Sequence, residues 1–291
     1  MEQINSTVDT VNISSSPAPP VAWEASALVP AIILSLCFLL GVPGNIAVIL
    51  LKSKWLHLSS LSQNLMLNLA VSDLLCLVTL PLWIYDFLWN WIFSLVACKL
   101  ISYLVYCSIY SSLLTVTSLS VQRYLKVVYM HRCLDQRKQN RLLVLLWLVS
   151  MILSIPMLIV SQLTQNQQGT HCRPQYILDT QLEALLLIES LVGFLSLFVV
   201  TFAYICIARK VRKLSLFKLP RTTRLSTSII LTFFVLWLPN HTINVLGVVA
   251  VSQKNEGLFK LCMDSWNLVG ALTFVNSCMN PILYTYATCN M

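Results

Sequence analysis

Seven stretches of this 291-residue chain run for 19 to 29 residues with at most one charge each. They cover residues 25–51, 59–85 (with Asp73), 100–122, 142–160, 184–208 (with Glu189), 225–253 and 265–291. About 20 apolar residues cross the hydrocarbon core of a bilayer as a helix, so each run can span a membrane with some tilt. Lipid offers no partner to backbone polar groups, so only helices and closed barrels span it. Barrel strands would read as ~10-residue alternating segments, and the sequence has none. The pattern predicts an all-α membrane protein, a seven-transmembrane helix bundle. A tail over 1–24 precedes a membrane domain over 25–291, with helices about 25–53, 59–88, 95–130, 138–161, 180–213, 221–252 and 259–287. Only 10 % of the residues are charged and the mean hydropathy is +0.76. A soluble domain carries about 25 % charged residues. Soluble globular folds, disordered chains and secreted disulfide scaffolds are thereby excluded.

The charges orient the spans. Lys99, Arg173, Lys254 and Lys260 lie in the second, fourth and sixth connections or at their edges, and the tail has no base. The other 15 of 19 Lys and Arg lie in or beside the first, third and fifth connections, with Asp135 the one acid among them. The positive-inside rule then predicts an extracellular N-terminus. The net charge of +8 is thus juxtamembrane, which argues against a nucleic-acid partner and leaves membrane lipids as the surroundings. The first 24 residues lack a basic n-region and an apolar core, so the first span is expected to act as its own insertion signal. Asn5-Ser6-Thr7 and Asn12-Ile13-Ser14 fit the glycosylation acceptor pattern, making Asn5 and Asn12 candidate sites.

Of the ten cysteines, Cys37, Cys76, Cys107, Cys206 and Cys278 fall within spans and read as small apolar residues. Cys98 and Cys172 are expected outside, where the compartment permits a bridge between them. Two free thiols are the alternative, and Cys262 is a third outer cysteine. No Cys/His spacing suggests zinc. Asp73 is the charge at mid-membrane in the second span, which is costly unless it faces the interior. Its expected neighbours are Asn45, Ser112, Asn276 and Asn280. Helix-packing glue accounts for the asparagines and serines but leaves the carboxylate uncompensated. Water or a bound cation would compensate it.

Gly44-Asn45, Leu69-Ala70-Val71-Ser72-Asp73, Cys98, Gln122-Arg123-Tyr124, Trp147, Trp237-Leu238-Pro239 and Asn280-Pro281-Ile282-Leu283-Tyr284 occur in consecutive spans. Together they resemble the rhodopsin-like G-protein-coupled receptors. The resemblance implies a plasma-membrane receptor without catalytic residues or a cofactor. It further implies an allosteric sodium ion held by Asp73, Ser112, Asn276 and Asn280. Trp237 would respond to agonist at the pocket floor, Arg123 and the adjacent Tyr124 would face the G protein, and Tyr204 and Tyr284 would swing in to support Arg123. Proline removes a helix hydrogen bond and kinks the helix, so Pro239 and Pro281 make bent levers of the sixth and seventh spans. The sequence departs from the family where Gln122 replaces the usual acid before Arg123, and where the fifth span has Ser196 and Leu197 in the region of its usual proline. Met291 follows Tyr284 by seven residues, with no amphipathic eighth helix between.

Val105, eighteen residues before Arg123, stands where amine receptors carry an aspartate. Thr79-Leu80-Pro81 with Trp83, and Trp91-Ile92-Phe93 before Cys98, resemble the chemoattractant receptors. Residues 109–114, 118–123, 189–195 and 237–244 are most similar to the leukotriene B4 receptors. That resemblance implies a hydroxylated lipid acid as agonist and an inhibitory-class G protein as partner. Tyr103, Tyr106 and Tyr110 recur on one face of the third span and are expected to line the pocket with phenol donors. Asn240, His241 and Asn244 lie above Trp237, Glu189 can accept from a hydroxyl, and Arg173 is the candidate partner of a carboxylate. Ser161 falls where leukotriene receptors carry an arginine, and the acidic outer face suits a peptide or chemokine, which stays the second reading. A transporter would show paired broken helices in two halves, and an intramembrane enzyme a nucleophile with its base or a metal set. The spans hold neither.

Overall fold

Every apolar run resolves its backbone hydrogen bonds within itself as a helix, as a lipid-facing chain must. The computed structural model of the protein describes residues 25–51, 59–129, 135–166, 169–213 and 221–289. The helices are α1 (Ala25–Leu50), α2 (Ser60–Leu77), α3 (Leu80–Leu88), α4 (Leu95–Val128), α5 (Gln136–Val160), α6 (Asp179–Lys213), α7 (Arg221–Ser252) and α8 (Glu256–Cys289). Strands β1 (Ser161–Asn166) and β2 (Gly169–Pro174) lie between α5 and α6. Seven helical stretches are long and apolar enough to cross a membrane, the second being α2 and α3 together.

That second span is two helices where the sequence predicts one over 59–88. Pro81 enters the first turn of α3, where its missing N–H removes a rung of the ladder. The Thr79 hydroxyl and amide both donate to the Cys76 carbonyl at the break, at 2.7 and 3.2 Å. α1, α5, α7 and α8 each carry proline within the helix, whereas α6 runs 35 residues without one.

The bundle is apolar outside and carries many polar side chains within its apolar interior. Large side chains such as Ile32, Leu36 and Leu39 of α1 and Leu145, Ile152 and Ile159 of α5 are exposed, while Asn45, Asp73, Ser111, Thr115 and Asn276 are buried. Where the outer surface meets lipid tails, burial of apolar side chains gives no net gain. Close packing and interhelical hydrogen bonds hold the spans together instead. The Trp147 indole donates to Asn68 at 2.9 Å, and Asn68 donates to Thr115 at 2.7 Å, which ties α5, α2 and α4. Val48, Met66, Leu69, Leu113, Val116, Leu197 and Trp237 pack as the central apolar cluster.

The antiparallel β-hairpin is not foreseen by the span pattern. It pairs Ser161 with Pro174 through Asn166 with Gly169, and Gly169 adopts φ +140°, a backbone angle that side-chain-bearing residues rarely take. A disulfide joins Cys172 of β2 to Cys98 at the start of α4, and the Trp91 amide donates to the Thr170 carbonyl at 2.6 Å. The hairpin is thus fixed across one end of the bundle, here called the hairpin end. The opposite end, which carries Arg123, Arg137, Lys138, Arg141 and Arg209, is called the basic end.

Candidate functional site

Midway along the bundle Asp73 is fully buried. Its Oδ1 accepts from Ser112 and Ser277, both at 2.9 Å, and its Oδ2 accepts from the Asn280 amide at 2.6 Å. Among the described residues no cation pairs with it; the ion pairs all involve Asp86. Of the four neighbours expected from sequence, Ser112 and Asn280 reach the carboxylate. Asn45 instead donates to the carbonyls of Gly41 and Ser277 at 2.9 and 3.0 Å. Asn276 stands on the wall of a cavity of about 10 Å³ beside the carboxylate, with Cys76, Ser108, Ser112, Trp237 and Ser277. Adjacent helical residues point about 100° apart, so Ser277 takes the contact that the sequence reading gave to its neighbour Asn276. The side-chain oxygens of Asn276 and Asn280 are buried without a hydrogen-bond partner among the described residues. One carboxylate, neutral oxygens and space for about one water-sized particle form a donor set that fits a hard monovalent cation.

Toward the hairpin end a cavity of about 200 Å³ opens between α3, α4, α5, β2 and α8. Its walls include Trp83, Phe87, Tyr106, Met157, Trp266 and Phe274, and among the described residues Arg173 is the one charged residue lining it. The tyrosine stripe of α4 does not line this space as a unit. It covers about 10 Å of helix, so its members lie at different depths. Tyr106 reaches the cavity, Tyr103 donates to the Met151 carbonyl of α5 at 3.2 Å, and Tyr110 joins the central cluster with Trp237.

Below Tyr106 lies a polar relay. The Asn244 amide donates to Glu189 at 2.7 Å, and the Trp266 indole donates to Asn244 at 3.1 Å. Tyr106 lies close to the same carboxylate. Three spans, α6, α7 and α8, are thus joined by hydrogen bonds through Asn244, and Trp266, which sequence reading missed, presents its ring to the cavity. No motif marks Trp266; only its depth in α8 opposite Asn244 reveals it. Tyr176, in the connection after β2, is half-buried near the same carboxylate, and burial pushes its phenol well above the usual range, with the Glu189 charge adding to the effect.

Deeper still, His241 stacks on Trp237 with centroids 5.6 Å apart and planes 26° from parallel, and packs against Phe194 at 5.6 Å. It is 1 % exposed, and neither ring nitrogen has a hydrogen-bond partner among the described residues. Asn240, on the same helix, lines neither the larger nor the smaller cavity.

Arg173, expected as a free cation, is already paired. Its guanidinium donates to Asp86 Oδ2 and to the Cys172 carbonyl and lies over the Phe87 ring, 4.8 Å from the centroid. Asp86, fully buried on α3, also accepts from the Cys172 amide at 3.3 Å and from His171 Nδ1 at 3.2 Å. A carboxylate without water must be paired, so Asp86 is the anchor that the hairpin closes over.

At the basic end Arg123 is 5 % exposed, and its Nε and Nη2 have no partner among the described residues. Gln122 turns away from it, donating to Ser59 and accepting from Ser62, each at 3.1 Å. Tyr124 packs against Tyr129 and Phe202, and Tyr204 is half-buried on α6. Pro239 and Pro281 lie inside α7 and α8. Asn5, Asn12, the linker 214–220 and the side chain of Tyr284 lie outside the described residues.

A buried mid-membrane carboxylate, a bridged hairpin across one end and an arginine at the other define the class: residues 44–284 match the 7 transmembrane receptor (rhodopsin family), and the chain belongs to it. It is accordingly a multi-pass plasma-membrane receptor rather than an enzyme. The chain is 32 % identical to leukotriene B4 receptor 1 of Homo sapiens, with 95 % of this chain and 82 % of that protein covered. It is 28 % identical to atypical chemokine receptor 2 of Mus musculus (88 % and 70 % covered) and 28 % identical to the C3a anaphylatoxin chemotactic receptor of Danio rerio (89 % and 72 % covered). It is a G-protein-coupled receptor of this chemoattractant type.

Proposed function

We propose that the protein binds a leukotriene B4-like hydroxylated lipid from the extracellular side and activates an inhibitory-class G protein. The observation that carries the ligand reading is a cavity with aromatic walls whose Trp266 donates to Asn244 and, through it, joins Glu189, with Tyr106, Ser102 and Asn267 as further polar groups on the wall. An acyl chain has aromatic walls to lie against, and hydroxyls have clustered acceptors and donors. His241 and Trp237 lie just below, so ligand depth is sensed next to the Pro239 kink. The identity to leukotriene B4 receptor 1 supports the same ligand class.

The N-terminus faces outward in this reading, because the bases flank the first, third and fifth connections and the Cys98–Cys172 bridge suits the oxidising side. Glycosylation of Asn5 and Asn12 follows from that placement. Asp73, Ser112, Ser277 and Asn280, with Asn276 on the cavity wall, would hold a sodium ion that favours the resting state. That cation would supply the countercharge that Asp73 lacks.

Signalling then runs through the basic end. Arg123 is buried with donors unspent, and such a group requires a partner in at least one of its states. Movement of α7 about Pro239, and of α8 about Pro281, would open the space beneath Arg123 for a helix of the G protein. Tyr124 borders that space, and Tyr204 and Tyr284 would support Arg123 in it. A peptide or chemokine-type agonist is the second reading, favoured by the pairing of Arg173 with Asp86, which leaves the cavity without a free cation. A panel of leukotriene B4, a chemokine and a complement-type peptide on receptor-expressing cells separates them. The lipid should raise calcium and lower cyclic AMP, and pertussis toxin should block most of both. A response to peptides with none to the lipid would overturn the ligand assignment.

A further inference from the structure

We infer that Asp86 sets the ligand preference of the hairpin-end cavity: by holding the Arg173 guanidinium it removes the cavity's one cation from play, so that the agonist is read by its hydroxyls and not by a carboxylate. The inference rests on the lipid reading above and narrows it.

Among the described residues Arg173 is the one charged residue lining the cavity, and its guanidinium donates to Asp86. Asp86 is fully buried, so water cannot draw its charge away, and it is held from two further sides by the Cys172 amide and His171. The His171 Nδ1 also lies 3.0 Å from the Asp86 carbonyl, so the ring is pinned to α3. Lys99, on the first turn of α4, donates to the Leu158 and Ile159 carbonyls at 2.8 and 3.4 Å and so caps the end of α5. Lys254 and Lys260 are exposed and line neither cavity. Behind the wall residue Trp266 a second carboxylate, Glu189, accepts from Asn244 and so is itself already partnered.

An anionic headgroup approaching Arg173 therefore meets a charge already spent, with Asp86 directly behind it. A desolvated carboxylate that finds no unpaired cation loses its hydration for little return. A hydroxyl loses far less and finds partners on the cavity wall in Tyr106, Ser102 and Asn267. Specificity of this kind uses a repulsive element as well as an attractive one, and Asp86 is that element.

The test compares leukotriene B4, its methyl ester and the parent fatty acid without hydroxyls, by competition binding on membranes carrying the full receptor. The acid and its ester should bind within a few-fold of one another, and the unhydroxylated acid should lose roughly a hundredfold, the effect of two hydrogen bonds no longer made. An ester roughly a hundredfold weaker than the acid overturns the inference while leaving the lipid reading intact. Absence of binding by all three overturns the lipid reading itself, and the inference with it. Asp86→Asn at matched surface expression should tighten the acid roughly tenfold and leave the ester unchanged. Equal affinity of wild type and variant for the acid overturns the inference. Should Asp86→Asn fail to reach the surface, Arg173→Gln decides: a change within a few-fold for the acid supports the inference, and a loss near a hundredfold refutes it.

Discussion

Gly193→Ala is the smallest change that tests the packing beneath the cavity. A Cβ built on Gly193 lies 1.9 Å from His241 Cε1 and 2.1 Å from Nε2. Carbon atoms rest at about 3.5–4.0 Å, so the imidazole would have to retreat by roughly 1.5–2 Å. Trp237 and Phe194 hold its faces, and retreat would break the stacking on Trp237. Overpacking of this kind costs about 1–3 kcal/mol. Against it stands the gain of about 1 kcal/mol from replacing a mid-helix glycine by alanine. The net should be a loss of up to about 2 kcal/mol, visible as a lower melting temperature of the purified receptor. Because His241 bears the clash, His241→Ala should relieve it, with a coupling of about 1–3 kcal/mol in the double-mutant cycle. A Gly193→Ala receptor that melts higher than wild type, with no coupling to His241, would refute the reasoning, since alanine would then be collecting its helix propensity unopposed.

Asp73→Asn should abolish the effect of sodium on agonist affinity, measured by competition binding in sodium against choline chloride; a sodium response as large as wild type's would remove Asp73 from the site. Cys172→Ser opens the bridge to Cys98, a closure over 74 residues for which chain entropy gives about 4 kcal/mol. Surface expression and ligand binding should both fall, and unchanged binding would contradict that role. Gln122→Asp should lower basal nucleotide exchange several-fold, since Arg123 is buried and a pair to it is little screened; a rise in basal exchange would show that the Ser59 and Ser62 contacts of Gln122, not the missing ion pair, restrain Arg123.

The seven spans were legible because lipid leaves an apolar run no structure other than a helix, so length and charge alone suffice. Asp73 was legible for a related reason: a carboxylate in the middle of such a run must face inward. Its partners were read less well. Asn276 and Ser277 are neighbours in sequence, and which of them faces Asp73 depends on the rotation of α8, which no local pattern records. Asp86 carries no signal in the sequence, because its partners lie 85 to 87 residues away. Those partners come together through a hairpin whose register is set by tertiary contacts. Trp266 and the scattering of Tyr103, Tyr106 and Tyr110 are questions of depth along tilted helices, and periodicity reports the face of a helix but not its depth. Arg123 and Gln122 were legible as a departure from a motif, whereas the turn of Gln122 toward Ser59 and Ser62 was not.

The most direct measurement is nucleotide exchange on a purified inhibitory-class G protein, driven by the receptor in lipid vesicles with and without leukotriene B4. Wild type and Arg123→Ala would be compared at equal receptor content. Leukotriene B4 should accelerate exchange on wild type, and Arg123→Ala should bind the lipid with near-normal affinity yet drive no exchange. Normal exchange from Arg123→Ala would contradict the coupling route through the basic end, and a wild-type receptor that exchanges equally with and without the lipid would contradict the ligand.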